Sequence, residues 1–316
     1  MSIDSNRVLI LFGPTAVGKT ATVDRLEQDD RLHLRPVVVV SADSAQVYRG
    51  MDIGTAKPSA QERARMDHEL IDIRDPSEPY SVGDFARLAD EACAGAVQRG
   101  ALPILSGGTA YYIKAFLYGA PPAPPSDPAV RLEIQNMLAE NGGAEAVRRE
   151  LARVDPVSAA RIAPADLYRT TRALEVYRCS GRPLSSFVPP TVPRARWDTL
   201  IIGLDRPRAE LYARIDARVD AMLAGGLQAE FLRLVDAGYG PDAPGMKAIG
   251  YAEFFQSGAS LDAIRDAIKL HTRHYAKRQL TFMRAIAGVR WFGADDYDAI
   301  GAAVDAWLRR GPVRTP

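Results

Sequence analysis

Residues 8–20 read VLILFGPTAVGKT and contain the most informative local pattern in the chain. Its continuous apolar run, VLILF, is typical of a parallel strand that is buried on both faces. The run leads into GPTAVGKT, which matches the pattern G-x-x-x-x-G-K-[ST], and a helical pattern begins near Lys19. A strand, a glycine loop and a helix in this order predict a phosphate-binding loop (P-loop) at the edge of a parallel sheet.

The residue types in this loop suit a diphosphate or a triphosphate. Glycines at both ends let the backbone curl so that successive N–H groups face one concavity, the lysine adds a positive charge, and the threonine hydroxyl can bind Mg²⁺. The predicted phosphate-binding residues are Gly13, Pro14, Thr15, Ala16, Val17, Gly18, Lys19 and Thr20. The loop alone does not define the reaction, because kinases, ATPases and other transferases share it.

Three further apolar runs extend the predicted sheet: VVVV (37–40), LPILS (102–106) and IIGL (201–204). The first two are each followed by a polar or glycine turn and a helical pattern, as in parallel α/β proteins. We therefore predict the α/β fold class, with a P-loop parallel sheet core flanked by helices.

Two proline clusters, at residues 121–128 and 189–193, predict extended linkers. The segment between them has helical periodicity and no clear strand. This pattern predicts an all-helical insertion domain over residues 123–194, within a core of residues 1–122 and 195–316. The alternative is that the prolines lie in ordinary surface loops of one domain.

Composition limits the possible functions. The chain has 40 basic and 39 acidic residues, a net charge of +1, so any nucleic-acid surface must be local. The two cysteines, Cys93 and Cys179, are far apart and have no Cys or His at metal-ligand spacing, which predicts neither disulfides nor zinc. No apolar run is long enough to cross a bilayer and the N-terminus does not resemble a signal peptide, so we expect a cytoplasmic protein without membrane contact.

Polar residues follow the second and third predicted strands. Asp43 lies just past VVVV, at the sheet edge where ligands collect, so it should face the P-loop. A carboxylate there could hold Mg²⁺ through water or accept a proton from a nucleophile, although the spacing equally fits a structural Asx turn. SGGT (106–109) could offer donors at the same edge or form only a tight turn.

A basic helical segment suggests RNA binding. Arg265, Lys269, Arg273 and Lys277 recur every fourth residue, which places like charges on one helix face, where a polyanion would relieve their repulsion. The continuation KRQLTFMR (277–284) adds Phe282, and aromatic rings suit the stacking of unpaired bases. The alternative is a solvated helix face with Phe282 in the core.

Seven segments together resemble the bacterial tRNA dimethylallyltransferase family, also called tRNA isopentenyltransferases. They are GPTAVGKT, SADSAQVYRGMDIGTAKP, HELIDIRDP, LSGGTAYY, YRTTRALEV, MKAIGY and KRQLTFMR, in that order over nearly the whole chain. DSAQVYRGMDIGTAKP (43–58) is the part that ordinary nucleotide kinases are not expected to contain.

The resemblance implies transfer of a dimethylallyl group from dimethylallyl diphosphate to N6 of the adenosine 3′-adjacent to the anticodon, with Mg²⁺ as cofactor. It implies that Asp43 is the general base and that Lys19, Thr20 and Arg218 handle the diphosphate. These four and Thr109 form the predicted catalytic set, in which Thr20 binds Mg²⁺, with Asp43 contributing through water. We expect a monomer that lacks the zinc finger of eukaryotic relatives.

The resemblance also implies that the helical insertion clasps the tRNA anticodon stem-loop. The residues at tRNA-contacting positions are Asp43, Ser44, Ala45, Gln46, Thr109, Arg131, Tyr168, Arg169, Thr170, Thr171, Arg172, Met246, Lys247, Ala248, Ile249, Gly250, Tyr251, Lys277, Arg278, Gln279, Leu280, Thr281, Phe282, Met283 and Arg284. Tyr168 and Phe282 depart from the commoner Gln and Trp of the family. A small-molecule kinase, a nucleotide-switched RNA-binding protein and a prenyltransferase of free adenine nucleotides are the alternatives.

Overall fold

The computed structural model describes residues 6–29, 32 and 36–310. These residues form a parallel sheet of six strands in the order β3-β2-β4-β1-β5-β6. The strands are β1 (Arg7–Phe12), β2 (Val37–Ala42), β3 (Asp67–Glu69), β4 (Leu102–Gly107), β5 (Asp198–Asp205) and β6 (Arg290–Gly293). The predicted α/β fold class, with a parallel sheet flanked by helices, is confirmed.

The four predicted strands are the inner strands of this sheet. All six residues of β1 and of β2 are buried, which explains why both strands are continuous apolar runs. The two strands that sequence reasoning did not predict, β3 and β6, lie at the edges. They have three and four residues and are only partly buried, so neither contains an apolar run.

Helices cover both faces of the sheet. Outside the insertion they are α1 (Lys19–Glu27), α2 (Ala60–Arg65), α3 (Val82–Gln98), α4 (Ala110–Tyr118), α9 (Arg208–Ala224), α10 (Leu227–Asp236), α11 (Leu261–Met283) and α12 (Tyr297–Leu308), with 3₁₀ turns at Gly245–Lys247 and Ala252–Phe255. One buried cluster joins β1 and β5 to α1, α9 and α12 and includes Leu11, Ile202, Ile215 and Trp307. None of the described helices is long and apolar enough to span a bilayer.

A second buried cluster holds the segment that follows β2. Met51, Phe231, Tyr251 and Ile268 pack together in it, so loop residues, α10 and α11 share one small core. This packing places residues 43–58 beside the carboxyl edge of the sheet, although the segment has little regular structure of its own.

The chain divides into two compact units, residues 1–117 with 194–316 and residues 118–193. The predicted division lay at 122/123 and 194/195. In the second unit the described structure is helical, with α5 (Pro128–Ala139), α6 (Gly143–Val154), α7 (Pro156–Arg161), α8 (Leu167–Ser180) and a 3₁₀ turn at Leu184–Ser186. Buried Ile134, Val147, Leu151 and Leu174 from α5, α6 and α8 lie in its two apolar clusters.

Candidate active site

The P-loop follows β1 and curls as its glycines require. At Gly13, a Cβ atom would lie 2.9 Å from both the Leu204 carbonyl oxygen and a Val17 methyl group, so only glycine fits against β5. Gly18 has a φ of 121°, in the left-handed region that favours glycine, and it directly precedes α1. The loop therefore leads directly into the positive end of a helix dipole.

The Lys19 side chain folds back onto this loop. Its Nζ donates to the carbonyl oxygens of Gly13 and Pro14, both at 3.0 Å. Burial lowers the pKa of Lys19 from 10.5 to about 8; the neighbouring Arg218 guanidinium adds to the lowering, and the Asp43 carboxylate opposes it. These effects show that predicted site residues from three separate segments are close enough to interact electrostatically.

Arginines on α9 approach the other side of the P-loop. Arg218 Nη1 donates to the Thr15 hydroxyl at 3.4 Å, and Arg214 Nε donates to the Ala16 carbonyl oxygen at 2.9 Å. Arg214 is not among the predicted site residues. Its spacing of one helical turn from Arg218 was the available signal, because residues four apart on a helix share a face.

Asp43 forms the Asx turn that the spacing allowed and also lines the pocket. Its Oδ1 accepts from the backbone N–H groups of Ala45 and Gln46 at 2.9 and 3.4 Å. The Thr109 hydroxyl accepts from the Ser44 N–H at 3.2 Å, and the Thr109 N–H donates to the Ala42 carbonyl oxygen at 3.1 Å. The turns after β2 and β4 are thus bonded to each other at the sheet edge.

These elements enclose a pocket of about 500 Å³. Its lining includes the cations Lys19, Arg214 and Arg218 and, as apolar side chains, Val23, Val39, Met66 and Ile71. Lys57 also lines it, but its buried ammonium group is held by Asp52, Asp72 and the Tyr48 carbonyl oxygen at 2.5–2.7 Å. The pocket combines a cationic lining with an apolar one, as a diphosphate with a short hydrocarbon tail requires.

Two α11 side chains complete the wall. Tyr275 hydrogen-bonds with Thr109 and Gln279, and burial, followed by the nearby Asp43 charge, raises its pKa to about 12. Gln279, predicted to contact tRNA, is only 5% exposed, and its amide bonds to the P-loop and to Gly108 instead. Tyr275 was not predicted from the sequence, although its i, i+4 spacing from Gln279 places both on one helix face.

The basic stripe on α11 differs from the prediction. Arg265 pairs with Asp262 and Asp266, Lys269 with Asp220 at 2.6 Å, and Arg273 with Asp216 at 2.9 Å. Carboxylates of the protein itself therefore offset the repulsion among the first three cations of the stripe. Acidic side chains on α9 and in the first turns of α11 balance them, and those on α9 are distant in sequence.

The last two turns of α11 do present an exposed cationic and aromatic surface. Lys277, Arg278 and Thr281 are exposed, and Phe282 is 39% exposed. The Phe282 ring meets the Tyr111 ring edge to face, with ring centres 6.4 Å apart, and the Lys114 ammonium group lies 5.9 Å from the Phe282 ring centre. A neighbouring cavity of about 610 Å³ is lined by Lys277, Arg284 and Arg208, among others. Phe282 thus lies at the surface, as base stacking requires.

Other predicted tRNA-contacting residues divide into exposed and buried sets. Met246, Tyr251 and Met283 are buried in the core, whereas Lys247 is exposed. Within the second unit, Tyr168 is 72% exposed with the Arg131 guanidinium 5.6 Å from its ring centre. Thr170 and Thr171 of that unit are buried, and Arg172 pairs with the buried Glu175 at 2.8 Å.

The fold and the site together define a class, that of α/β proteins in which a carboxylate lines one pocket with a loop of the pattern G-x-x-x-x-G-K-[ST]. Comparison with known proteins gives the family. The chain belongs to the IPP transferase family, whose model matches residues 46–286.

Individual relatives agree with this assignment. The chain is 42% identical to the tRNA dimethylallyltransferase of Geobacillus kaustophilus over 95% of each chain, and 43% identical to that of Thermomicrobium roseum over 96% of this chain and 92% of the relative. The crystal structure of a tRNA isopentenylpyrophosphate transferase from Bacillus halodurans superposes with a TM-score of 0.68 at 37% identity, covering 96% of this chain and 97% of that one. The crystal structure of a eukaryotic dimethylallyltransferase acting on tRNA superposes with a TM-score of 0.78 at 26% sequence identity. The match covers 98% of this chain and 81% of that one. The predicted resemblance is confirmed.

Proposed function

We propose that the protein transfers the dimethylallyl group of dimethylallyl diphosphate to N6 of the adenosine 3′-adjacent to the anticodon of tRNA. The observation that carries this proposal is the pocket in which the Asp43 carboxylate faces Lys19 and Arg218 beside apolar side chains. The names of the relatives, tRNA dimethylallyltransferases, support it. We place the reaction in the cytoplasm, with the protein acting as a monomer.

The leaving group is held at the P-loop. In the reaction, the adenine N6 attacks the allylic carbon, the carbon–oxygen bond breaks, and its electron pair leaves with the diphosphate. Loop N–H groups, Lys19 and Arg218 stabilise the charge that grows on that diphosphate, a contribution that is often the largest in catalysis. The apolar side chains Val39 and Ile71 suit the dimethylallyl tail.

Asp43 accepts the proton that N6 loses as the new bond forms. Its Asx turn fixes the carboxylate at the sheet edge, so Oδ1 is oriented by backbone N–H groups before substrate arrives. Thr109 holds the backbone of the same turn through Ser44, which assigns it a positioning role beside its predicted contact with tRNA.

Mg²⁺ fits the residues at this site. The ion is usually held by one or two protein oxygens together with substrate phosphates and water. The Thr20 hydroxyl, in the first turn of α1, and the Asp43 carboxylate both line the pocket and provide such oxygens. A bound Mg²⁺ ion would neutralise part of the diphosphate charge.

Two surfaces suit RNA. A loop base can be swung out of its stack for a few kcal/mol, whereas a base paired within a helix cannot reach a pocket of this kind so readily. The exposed end of α11, with Lys277, Arg278 and Phe282, offers charge for phosphates and a ring for stacking. Within the insertion unit, Tyr168 and Arg131 form a similar pair.

The test is incubation with dimethylallyl diphosphate, Mg²⁺ and an unmodified anticodon stem-loop, followed by digestion and mass analysis of the nucleosides. We expect a prenylated adenosine without ATP, and none when the adenosine 3′ to the anticodon is replaced by guanosine. Consumption of ATP without a prenylated nucleoside would instead support the kinase or the nucleotide switch. Prenylation of free AMP but not of RNA would support the free-nucleotide transferase.

A further inference from the structure

Gln279 joins the P-loop to the turn after β4. Its Oε1 accepts from the Thr15 backbone N–H at 3.0 Å, and its Nε2 donates to the Gly108 carbonyl oxygen at 2.6 Å. Both ends of one side-chain amide are therefore used, on two neighbouring loops that line the pocket. Because the side chain is 5% exposed, these bonds form away from competing water, where an unmade bond is costly.

Gly108 leaves the space that this bridge needs. A Cβ atom at position 108 would lie 2.3 Å from Gln279 Nε2, far inside contact distance. The second glycine of SGGT is thus explained by a residue 171 positions away. Thr109 follows Gly108 and accepts a hydrogen bond from the Ser44 N–H. The bridge is therefore linked to Asp43 through Thr109 and Ser44.

The same helix turns carry the RNA surface on their other side. Lys277, Arg278 and Phe282 are exposed next to Gln279, whereas Ala276 and Met283 are fully buried. Because its buried residues pack α11 into the core, the outer face that carries the cations and the inner face that carries the amide belong to one rigid element.

We propose that Gln279 is a positioning residue that fixes the P-loop against the Gly108 turn and couples RNA bound on α11 to the diphosphate pocket. The proposal rests on the proposed function. It replaces the predicted direct contact of Gln279 with tRNA, because the side chain is buried and both of its polar groups are used within the protein. Coupling of this kind is reciprocal, so each ligand tightens the other by the same factor.

The test measures binding of a non-reactive thiolo analogue of dimethylallyl diphosphate, with and without the anticodon stem-loop. Gln279→Met keeps the length and burial of the side chain but removes its bonds to Thr15 and Gly108, together with the one to Tyr275. Gln279→Glu keeps the acceptor and loses the donor. Lys277→Ala is the matched control on the outer face of the same helix.

We expect the stem-loop to tighten analogue binding by about 5-fold or more in the wild type. In Gln279→Met this factor should fall to about 1, with weaker analogue binding and with RNA affinity unchanged within about twofold. Gln279→Glu should lose most of the coupling. Lys277→Ala should bind RNA more weakly and keep the wild-type factor at saturating RNA.

Thr15 N–H exchange with solvent gives an independent readout. If Gln279→Met has the melting temperature of the wild type, the Thr15 N–H should exchange faster than it does in the wild type. If the variant is destabilised, the exchange of the Thr15 N–H should increase by more than that of the other buried P-loop amides. The proposal is overturned if RNA does not change analogue affinity in the wild type, or if Gln279→Met loses RNA affinity as Lys277→Ala does and keeps the coupling factor. Failure of the proposed function is distinct, because the wild type would then form no prenylated adenosine.

Discussion

Asp43 combines a structural turn with the chemistry proposed for it. Because its Oδ1 accepts two backbone N–H groups, removal of the whole side chain would change the turn as well as the base. Asparagine keeps an acceptor for the turn and cannot accept the N6 proton. Asp43→Asn is therefore a cleaner probe than Asp43→Ala.

We expect Asp43→Asn to lower kcat by about 10²- to 10⁴-fold and to leave tRNA affinity within about twofold of the wild type. Single-turnover prenylation and an RNA binding titration measure the two quantities separately. Ser44→Ala, next to it in the same turn, is the control for the turn: its single-turnover rate should be near wild type, and any loss should be confined to RNA affinity because Ser44 holds a predicted tRNA-contacting position. Equal losses of turnover and RNA affinity in Asp43→Asn would contradict its role as the base.

Lys19 should make diphosphate binding depend on pH. Its pKa of about 8 means that the ammonium charge is present below pH 8 and is lost above it. Affinity for dimethylallyl diphosphate should therefore fall as pH rises from 8, by up to about tenfold per unit, and titration calorimetry between pH 7 and 9.5 measures this. Lys19→Met should bind dimethylallyl diphosphate weakly, with an affinity that changes little with pH. If the affinity of this variant falls with pH as steeply as that of the wild type, the titrating group is not Lys19.

The same lowered pKa affects stability with a definite sign. Between pH 8 and the ordinary lysine value of 10.5, the unfolded chain holds the proton that the folded chain has lost. The contribution of Lys19 to the free energy of unfolding therefore increases with pH in this window.

Single residues could be predicted from the sequence where a local pattern defines their environment. Gly13, Gly18 and Lys19 follow from eight consecutive letters. The burial of Gln279 could not be predicted, because helical spacing identifies which residues share a face but not which face is buried. Its hydrogen-bond partners, Thr15 and Gly108, are more than 150 positions away.

At the scale of elements, α11 has cations that are balanced and cations that are exposed. Lys269 is paired with Asp220, whereas Lys277 lies on the exposed surface and lines two neighbouring cavities. The two lysines are two turns apart on one helix, so they form a matched pair for measuring contact with phosphate.

We expect Lys277→Ala to weaken RNA binding several-fold and to reduce the salt dependence of log Kd by about 0.7 for each RNA phosphate that the variant no longer neutralises. Lys269→Ala should leave both within error. Fluorescence anisotropy with a labelled stem-loop at several salt concentrations measures the slope. If both variants weaken binding equally, RNA contacts the upstream half of α11 as well.

Glu230 on α10 holds the loop before α2. Its carboxylate is 1% exposed, accepts from the N–H groups of Asp52, Ile53 and Gly54 at 3.0–3.1 Å, and accepts from the Tyr251 hydroxyl at 2.6 Å. The Tyr251 ring packs so closely that a Cβ atom at Gly54 would lie 2.5 Å from it. One buried carboxylate thus fixes four donors.

We expect Glu230→Gln to lower the free energy of unfolding by about 1–3 kcal/mol, because its amide would place a donor against the N–H groups or the hydroxyl. Tyr251→Phe removes one bond and should cost about 1 kcal/mol. Urea denaturation measures both. A smaller loss for Glu230→Gln than for Tyr251→Phe would show that the backbone N–H groups find other partners.

Inner strands could be predicted from the sequence and edge strands could not. VVVV indicates β2 because both of its faces are buried, whereas the β3 sequence DHE has a single exposed and two partly buried positions. β3 forms because β2 offers backbone groups to Asp67, His68 and Glu69, and this pairing leaves no pattern in the apolar residues.

At the scale of the whole molecule, the insertion unit begins and ends at adjacent points. The Arg194 N–H donates to the Leu117 carbonyl oxygen at 2.8 Å, and its guanidinium group bonds to the Phe116 carbonyl oxygen and to buried Asp90. The chain therefore leaves the core unit and returns to it side by side, which a short turn could reproduce.

We expect that replacing residues 119–192 by a short glycine-rich turn leaves a core that folds and binds dimethylallyl diphosphate within about threefold of the full chain. Prenylation of the stem-loop should fall by at least about 100-fold if the insertion supplies RNA contacts. Circular dichroism, thermal melting and analogue binding report on the core. A core that does not fold would show that the two units depend on each other for stability.

The strand order has a further consequence during synthesis on the ribosome. β1 pairs with β4 on one edge and with β5 on the other, and the whole insertion unit lies between β4 and β5 in the chain. At translation rates of about 5–20 residues per second, synthesis of the insertion unit takes several seconds, during which β1 is paired with β4 but has no β5 to pair with. A nascent chain stalled there presents the unpaired backbone groups of an apolar strand, which are free to pair with another chain.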